Sequence, residues 1–268
     1  MLYERMKSLD GFAETRSAGA RRGSLDTEGV AHGPNDRLPV LAAFPAEPTR
    51  DAAANGGDVL NSDRVFELIV PLVRGTARRR RQARRESFST ETIPPCANVF
   101  LGDSLTEVAP LDELFPGLPI VNRGIGWDTS ADVLERVDEA VDDPAVVSVL
   151  IGTNDLHTSR SLKDPRGIVI RVEAIVDRLR DVAPSTRVLV NGLLPRTALY
   201  ATRLLALNAQ YCDIAERTGS TYVDAWPALA NSDGALRKEF TTDNLHLTPA
   251  GYAAWGGVLR PLLTAAME

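Results

Sequence analysis

The chain has 268 residues, 44% of them hydrophobic and 25% charged, with a formal charge of −6; this excludes a fibrous or wholly disordered polymer and allows a full hydrophobic core. No window approaches the ~18 consecutive apolar residues that a spanning helix needs, and the opening MLYERMKSLDGF has no apolar run behind its charges, so a cytoplasmic, non-secreted chain without a transmembrane segment is expected. Cys96 and Cys212 are too few for a disulfide framework and lack metal-ligand spacing, so no metal is expected.

Residues 1–58 are rich in Ala, Gly, Asp, Glu, Arg and Pro without a period of 2 or 3.6, and are expected to be a disordered extension. His32 lies there and is a poor candidate for any role needing fixed geometry. Residues 59–95 are expected to form a leading helix and linker, with Val65, Phe66, Ile69, Val70 and Val73 at helical spacing ahead of the basic run RGTARRRRQARRE. Arg74, Arg78, Arg79, Arg80, Arg81, Arg84 and Arg85 give this run +7 before Glu86, leaving −6 − 7 = −13 for the rest of the chain. It lacks interleaved aromatics and belongs to an acidic protein, so it reads as a helix face solvated or docked on the acidic body, and nucleic acid is not expected as a partner.

After Pro94-Pro95, apolar runs alternate with amphipathic segments through 96–268, the expected catalytic domain. Strands are predicted at Asn98–Leu101, Ile120–Asn122, Val146–Ile151, Arg187–Val190 and Thr221–Val223, and helices at Ser130–Val141, Ile168–Val182, Thr202–Thr218 and Pro249–Leu263. This alternation argues for an α/β fold with a parallel sheet covered on both faces, in which functional loops gather at the carboxyl ends of the strands.

The turns after those strands carry the candidate chemistry. The first strand ends in GDSLTE, where Gly102 allows a sharp turn and Ser104 is presented either as a nucleophile or, with Thr106, as a helix cap. VNRGIGWDTS, Val121–Ser130, holds Gly124 and Gly126, which permit close backbone approach or simply form a turn before a helix cap. GTNDLH, Gly152–His157, offers the neutral amide of Asn154 as an oxyanion donor, although Asn and Asp also favour turns. In TTDNLHLTPAGY, Thr241–Tyr252, Asp243 precedes His246 by three residues, a spacing that lets a carboxylate hold one imidazole nitrogen while the other faces a nucleophile. Thr248-Pro249 already suits the start of the following helix, so neither Asp243 nor His246 is needed as its cap. Of the three histidines, His157 is the rival base near neutral pH; without an equivalent preceding carboxylate, it is assigned with Asp103 to substrate contact.

The blocks GDSL (Gly102–Leu105), NRGIG (Asn122–Gly126), GTND (Gly152–Asp155) and DNLH (Asp243–His246) together resemble, in order and spacing, those of the SGNH hydrolases, the GDSL esterases and lipases. The resemblance spans about Val59 to Leu263, is clearest from Asn98 onward, and includes LLPR at Leu193–Arg196, LNAQY at Leu207–Tyr211 and YVDAW at Tyr222–Trp226. It implies a three-layer α/β/α, flavodoxin-like sandwich with about five parallel strands. It further implies Ser104 as nucleophile, His246 as base, Asp243 as its orienting carboxylate, and an oxyanion hole of Asn154 with backbone N–H groups, Ser104's among them. No cofactor is implied. Where many similar sequences read GIGGD, this one reads GIGWD, so the second-block donor is Trp127, Gly126 or Gly124. A bulky Trp127 would resist a positive φ and would set an indole at the pocket mouth. With no long apolar insertion around the blocks, the expected activity is hydrolysis of short-chain, O-acetyl-type esters of a carbohydrate or small lipid-like substrate. Acyl transfer, thioester hydrolysis and non-catalytic ligand binding on the same fold are the alternatives.

Overall fold

The computed structural model describes residues 79–157 and 165–265. The expected extension over 1–58 with His32, and the apolar pattern at Val65–Val73, lie outside the described residues.

Five short strands form one all-parallel sheet: β1 (Asn98–Gly102), β2 (Ile120–Gly124), β3 (Val146–Leu150), β4 (Arg187–Asn191) and β5 (Thr221–Val223), in the order β2-β1-β3-β4-β5. All five match the predicted runs to within two residues at either end. β1 and β3 are buried along their whole length, which is why they read as continuous apolar runs rather than as alternation. Phe100, Val146, Leu150 and Leu189 join the large cluster on one face. By the period of two, Val99, Leu101, Val147, Val149, Val188 and Val190, also buried, face the other side.

Helices cover both faces. On one side lie α4 (Ser130–Glu135), α5 (Val137–Ala140), α6 (Arg166–Val182) and α7 (Ala201–Thr218). α6 buries Ile168, Val169, Val172, Ile175, Val176 and Leu179, a stripe at helical spacing. On the other side α9 (Pro249–Ala265) sets Tyr252, Trp255, Leu259 and Leu263 into the cluster with Phe100 and Phe115, each large apolar side chain contributing about 1.5–3 kcal/mol by its burial. The short α2 (Ser104–Glu107), α3 (Leu111–Leu114) and α8 (Trp226–Leu229) complete the layers. The architecture is thus the expected α/β/α sandwich.

The predicted helix at Ser130–Val141 is broken. Arg136 leaves the helical region at φ −120°, ψ 11°, and its guanidinium turns inward to donate to Asp128 Oδ2 at 2.8 Å and to the carbonyl of Gly102 at 3.0 Å. An arginine that reads as surface is 1% exposed, and its bond to the Asp128 carboxylate is of the stronger, charge-assisted kind.

The basic run is helical over 79–90, here called α1. Arg81, Arg84, Arg85 and Phe88 fall at i, i+3, i+4 and i+7, so they share one face. That face is docked: Phe88 is buried beneath the guanidiniums of Arg84, Arg123 and Arg136, at 4.8, 4.5 and 5.8 Å from its ring centre. α1 is therefore part of the body, not a separate solvated element; Arg74 and Arg78 lie outside the described residues.

Candidate active site

The sheet order reverses direction at β1, with β2 on one side and β3 on the other, and the crevice for a site lies outside the strand carboxyl ends at such a point. Register brings the blocks level. Gly102 pairs with Gly124 on β2 and with Leu150 on β3, so the GDSL, NRGIG and GTND segments all leave the sheet at one height. The turn after β1 needs glycine for space: a Cβ on Gly102 would meet Thr106 Oγ1 at 2.3 Å and the Leu150 carbonyl at 2.4 Å. On β2, a Cβ at Gly124 would fall 2.2 Å from Glu107 N. α2 can lie against both strands only because both positions lack a side chain.

Ser104 is the first residue of α2, and the cap is its neighbour. Asp103 accepts from the Leu105 N–H at 2.9 Å, so the Ser104 hydroxyl is not spent on capping. It lies 3.0 Å from His246 Nε2, and His246 Nδ1 lies 2.7 Å from Asp243 Oδ2. An ionised carboxylate only accepts, which places the ring proton on Nδ1 and leaves Nε2 of the neutral imidazole to accept from Ser104. Asp243 Oδ1 accepts from the backbone N–H groups of His246 and Leu245 at 2.7 and 3.0 Å. Burial pushes its carboxyl upward, but the bonds from the His246 ring and these two backbone groups outweigh that and hold it below the ordinary aspartate value. Asn244 makes the turn possible at φ +62°, a conformation Asn tolerates better than most residues. Thr241 and Leu247 close the loop with an antiparallel bridge.

Asn154 opens a 3-10 turn after β3 and is 7% exposed. Its Nδ2 donates to the Asp128 carbonyl at 3.0 Å, tying the third block to the second; an amide nitrogen carries two protons, and this bond uses one of them.

Residues 100–254, more than half of the chain, match the family described as GDSL-like Lipase/Acylhydrolase. The chain belongs to this GDSL family. It is accordingly an ester-hydrolysing serine hydrolase. Rat platelet-activating factor acetylhydrolase IB subunit alpha1 (Rattus norvegicus) is 33% identical over 177 residues, covering 62% of this chain and 74% of that one. The bovine alpha2 subunit (Bos taurus) is 31% identical over 182 residues, covering 63% and 77%. A solved structure from Streptococcus pneumonia named for platelet activating factor superposes with a TM-score of 0.66 at 27% identity, covering 73% of this chain and 98% of that one.

In this GDSL hydrolase the second block is held by its own glycines. The Gly124 N–H donates to Asn122 Oδ1 at 2.9 Å and the Gly126 N–H to Glu107 Oε2 at 2.6 Å, so both are committed to the protein. Trp127 has φ +71°: the bulky residue adopts the left-handed backbone it was expected to resist, and it is 39% exposed. Gly126 is close to the serine, since a Cβ there would lie 3.8 Å from the Ser104 Cβ.

Asp103 is not placed for substrate contact. It is 1% exposed and faces the start of α2; burial, only partly offset by the Leu105 N–H, raises its carboxyl to about 7. His157 is mostly buried, and burial, with Arg196 adding to it, lowers its imidazole to about 4, so the ring is neutral at neutral pH. Asp155 is taken by Ser130 N and Oγ, at 2.8 and 2.6 Å, and by Arg171 at 2.9 Å. Sequence reasoning missed Glu107, Asn122 and Tyr252. Asn122 Nδ2 donates to the carbonyls of Thr106 and Glu107, and Tyr252 Oη to that of Leu105. Bonds of this kind end on main-chain atoms and leave no mark in residue types. Only the position of Glu107, three after Ser104, was a signal. Among the described residues no group of three His, Cys, Asp or Glu side chains could hold a metal, and no helix is long and apolar enough to cross a membrane.

Proposed function

We propose that the chain hydrolyses short-chain acyl esters, O-acetyl esters foremost, of a carbohydrate or small lipid-like alcohol through an acyl-enzyme on Ser104. The observation that carries this reading is the continuous Ser104–His246–Asp243 relay at 3.0 and 2.7 Å. Ser104 Oγ attacks the ester carbonyl as its proton passes to His246 Nε2, and Asp243 balances the imidazolium that results. The alkoxide leaves with that proton, forming the free alcohol. Water then attacks the acyl-serine, His246 again takes and returns the proton, and the carboxylic acid departs. The oxyanion is held by the second N–H of Asn154 and by the backbone N–H groups of Ser104 and Trp127. The commitment of both glycine amides elsewhere supports Trp127 as the second-block donor. Similarity to two acetylhydrolase subunits supports an acetyl group as the acyl part.

A fluorophosphonate probe read by intact mass tests the nucleophile. The wild-type protein should gain one adduct and Ser104→Ala none, and Asn154→Ala should turn over p-nitrophenyl acetate about 10²–10³ times more slowly. A folded wild-type chain that takes no adduct would overturn the reading.

A further inference from the structure

We infer that α1 is a clasp that positions the oxyanion loop, with Arg81 as its principal positioning residue. This rests on the oxyanion hole proposed above and extends it to the arginine run, which the reaction does not itself use. Arg81 Nε lies 2.8 Å from Asp128 Oδ1, and its Nη1 lies 2.8 Å from Asp132 Oδ1. Asp128 is fully buried and held on its other oxygen by Arg136. It also joins the two donors: its carbonyl accepts from Asn154 Nδ2, and its nitrogen follows Trp127 in the chain. Whatever fixes Asp128 therefore fixes both.

Two neighbours on α1 reinforce the grip. Arg84 Nη2 donates to the Asn122 carbonyl at 3.1 Å and its Nε to that of Gly124 at 3.4 Å, covering part of the edge of β2, which among the described residues pairs only with β1. Arg80 pairs with Glu107 Oε1 at 3.0 Å, and the other oxygen of Glu107 holds Gly126. The Arg80 side chain is 71% exposed, so screening leaves this contact weak. Arg81, 26% exposed, is ion-paired with two carboxylates of which one is buried, so it is the less screened contact; its Nε and Asp128 Oδ1 meet as charges at 2.8 Å without hydrogen-bond alignment. Arg136 alone leaves Asp128 anchored on one oxygen and free to pivot. Arg81 supplies the second anchor, and a misplacement of the order of 1 Å at a catalytic group costs about a hundredfold in rate.

The test compares full-length Arg81→Ala, Arg81→Lys and Arg85→Ala with wild type, using p-nitrophenyl acetate kinetics and hydrogen exchange of residues 122–130. Arg85, on the same face of α1, pairs with Glu139 and not with a side chain of residues 122–130, and serves as the control. Arg81→Ala should lower kcat roughly tenfold to a hundredfold with KM changed less than about twofold, and the loop amides should exchange faster. Lysine keeps the charge but lacks the planar fork, so Arg81→Lys should recover only part of kcat; it also serves should the alanine variant fail to fold. Arg85→Ala should match wild type. Wild-type kcat in the folded Arg81 variants overturns the clasp, as does unchanged exchange. A wild-type chain that takes no fluorophosphonate defeats the hydrolase mechanism instead, and loop exchange then decides by itself whether Arg81 holds the loop.

Discussion

Trp127 sits where a side chain is costly, since the left-handed region disfavours an L-residue by roughly 1–2 kcal/mol. A main-chain donor needs the backbone geometry and not the indole, which leads to opposite expectations for two substitutions. Trp127→Gly relieves the steric cost, loses about 0.5–1 kcal/mol through the greater freedom of the unfolded chain, and should leave stability within about 1 kcal/mol of wild type. Its kcat should stay within a few-fold, because glycine keeps both the N–H and the positive φ. Trp127→Val keeps the N–H, but its branched side chain resists that φ, so kcat should fall at least tenfold. Steady-state kinetics with one short ester, alongside urea denaturation, reads both, and equal kcat values in the two variants would remove Trp127 from the oxyanion hole.

At the scale of elements, Ser104 and His246 come from opposite ends of the domain, and Tyr252 on α9 links them. Its hydroxyl donates to the carbonyl of Leu105 on α2 at 2.8 Å, while burial raises its own pKa and keeps it protonated. Tyr252→Phe leaves that carbonyl buried without its donor, a cost of about 1–3 kcal/mol, and frees α9 to shift the His246 loop against α2. The expected result is a lower urea midpoint with kcat reduced several-fold; a change in stability alone would confine Tyr252 to the core. This strut also shows where the sequence stopped being informative. β1 and β3 were legible because burial on both faces turns them into apolar runs, and the Asp243–His246 pair because a spacing of three residues lets the two side chains meet within one loop. Asp103, assigned to substrate contact, was opaque because packing of α2 against the sheet, which residue types do not display, buries it as a helix cap. Arg136 and Arg84 were opaque for a related reason: beside the Asp128 carboxylate that pairs with Arg136, they donate to the carbonyls of Gly102, Asn122 and Gly124 far away in the chain, and every residue has a carbonyl.

For the molecule as a whole, two buried groups beside the site link stability to pH with opposite sign. Asp103 has a folded pKa of about 7 against an ordinary value of 3.8. The folded state therefore holds the proton more tightly, and stability is lost as pH rises from about 4 to about 7, by up to roughly 4 kcal/mol. His157, lowered from 6.5 to about 4, works the other way: the unfolded state binds the proton first, and stability is lost as pH falls from about 6.5 to about 4, by up to roughly 3 kcal/mol. In wild type the two slopes oppose each other across the same window. Asp103→Asn retains an oxygen for the Leu105 N–H but cannot ionise, so its stability relative to wild type should climb as pH rises from 4 to 7 and then level off. His157→Gln should gain on wild type as pH falls through 6.5, the reverse trend. Urea midpoints at half-unit steps from pH 4 to 8 measure both differences. If the Asp103→Asn curve runs parallel to wild type throughout, the carboxyl of Asp103 titrates alike in the folded and unfolded chains, and its burial under α2 does not hold the proton.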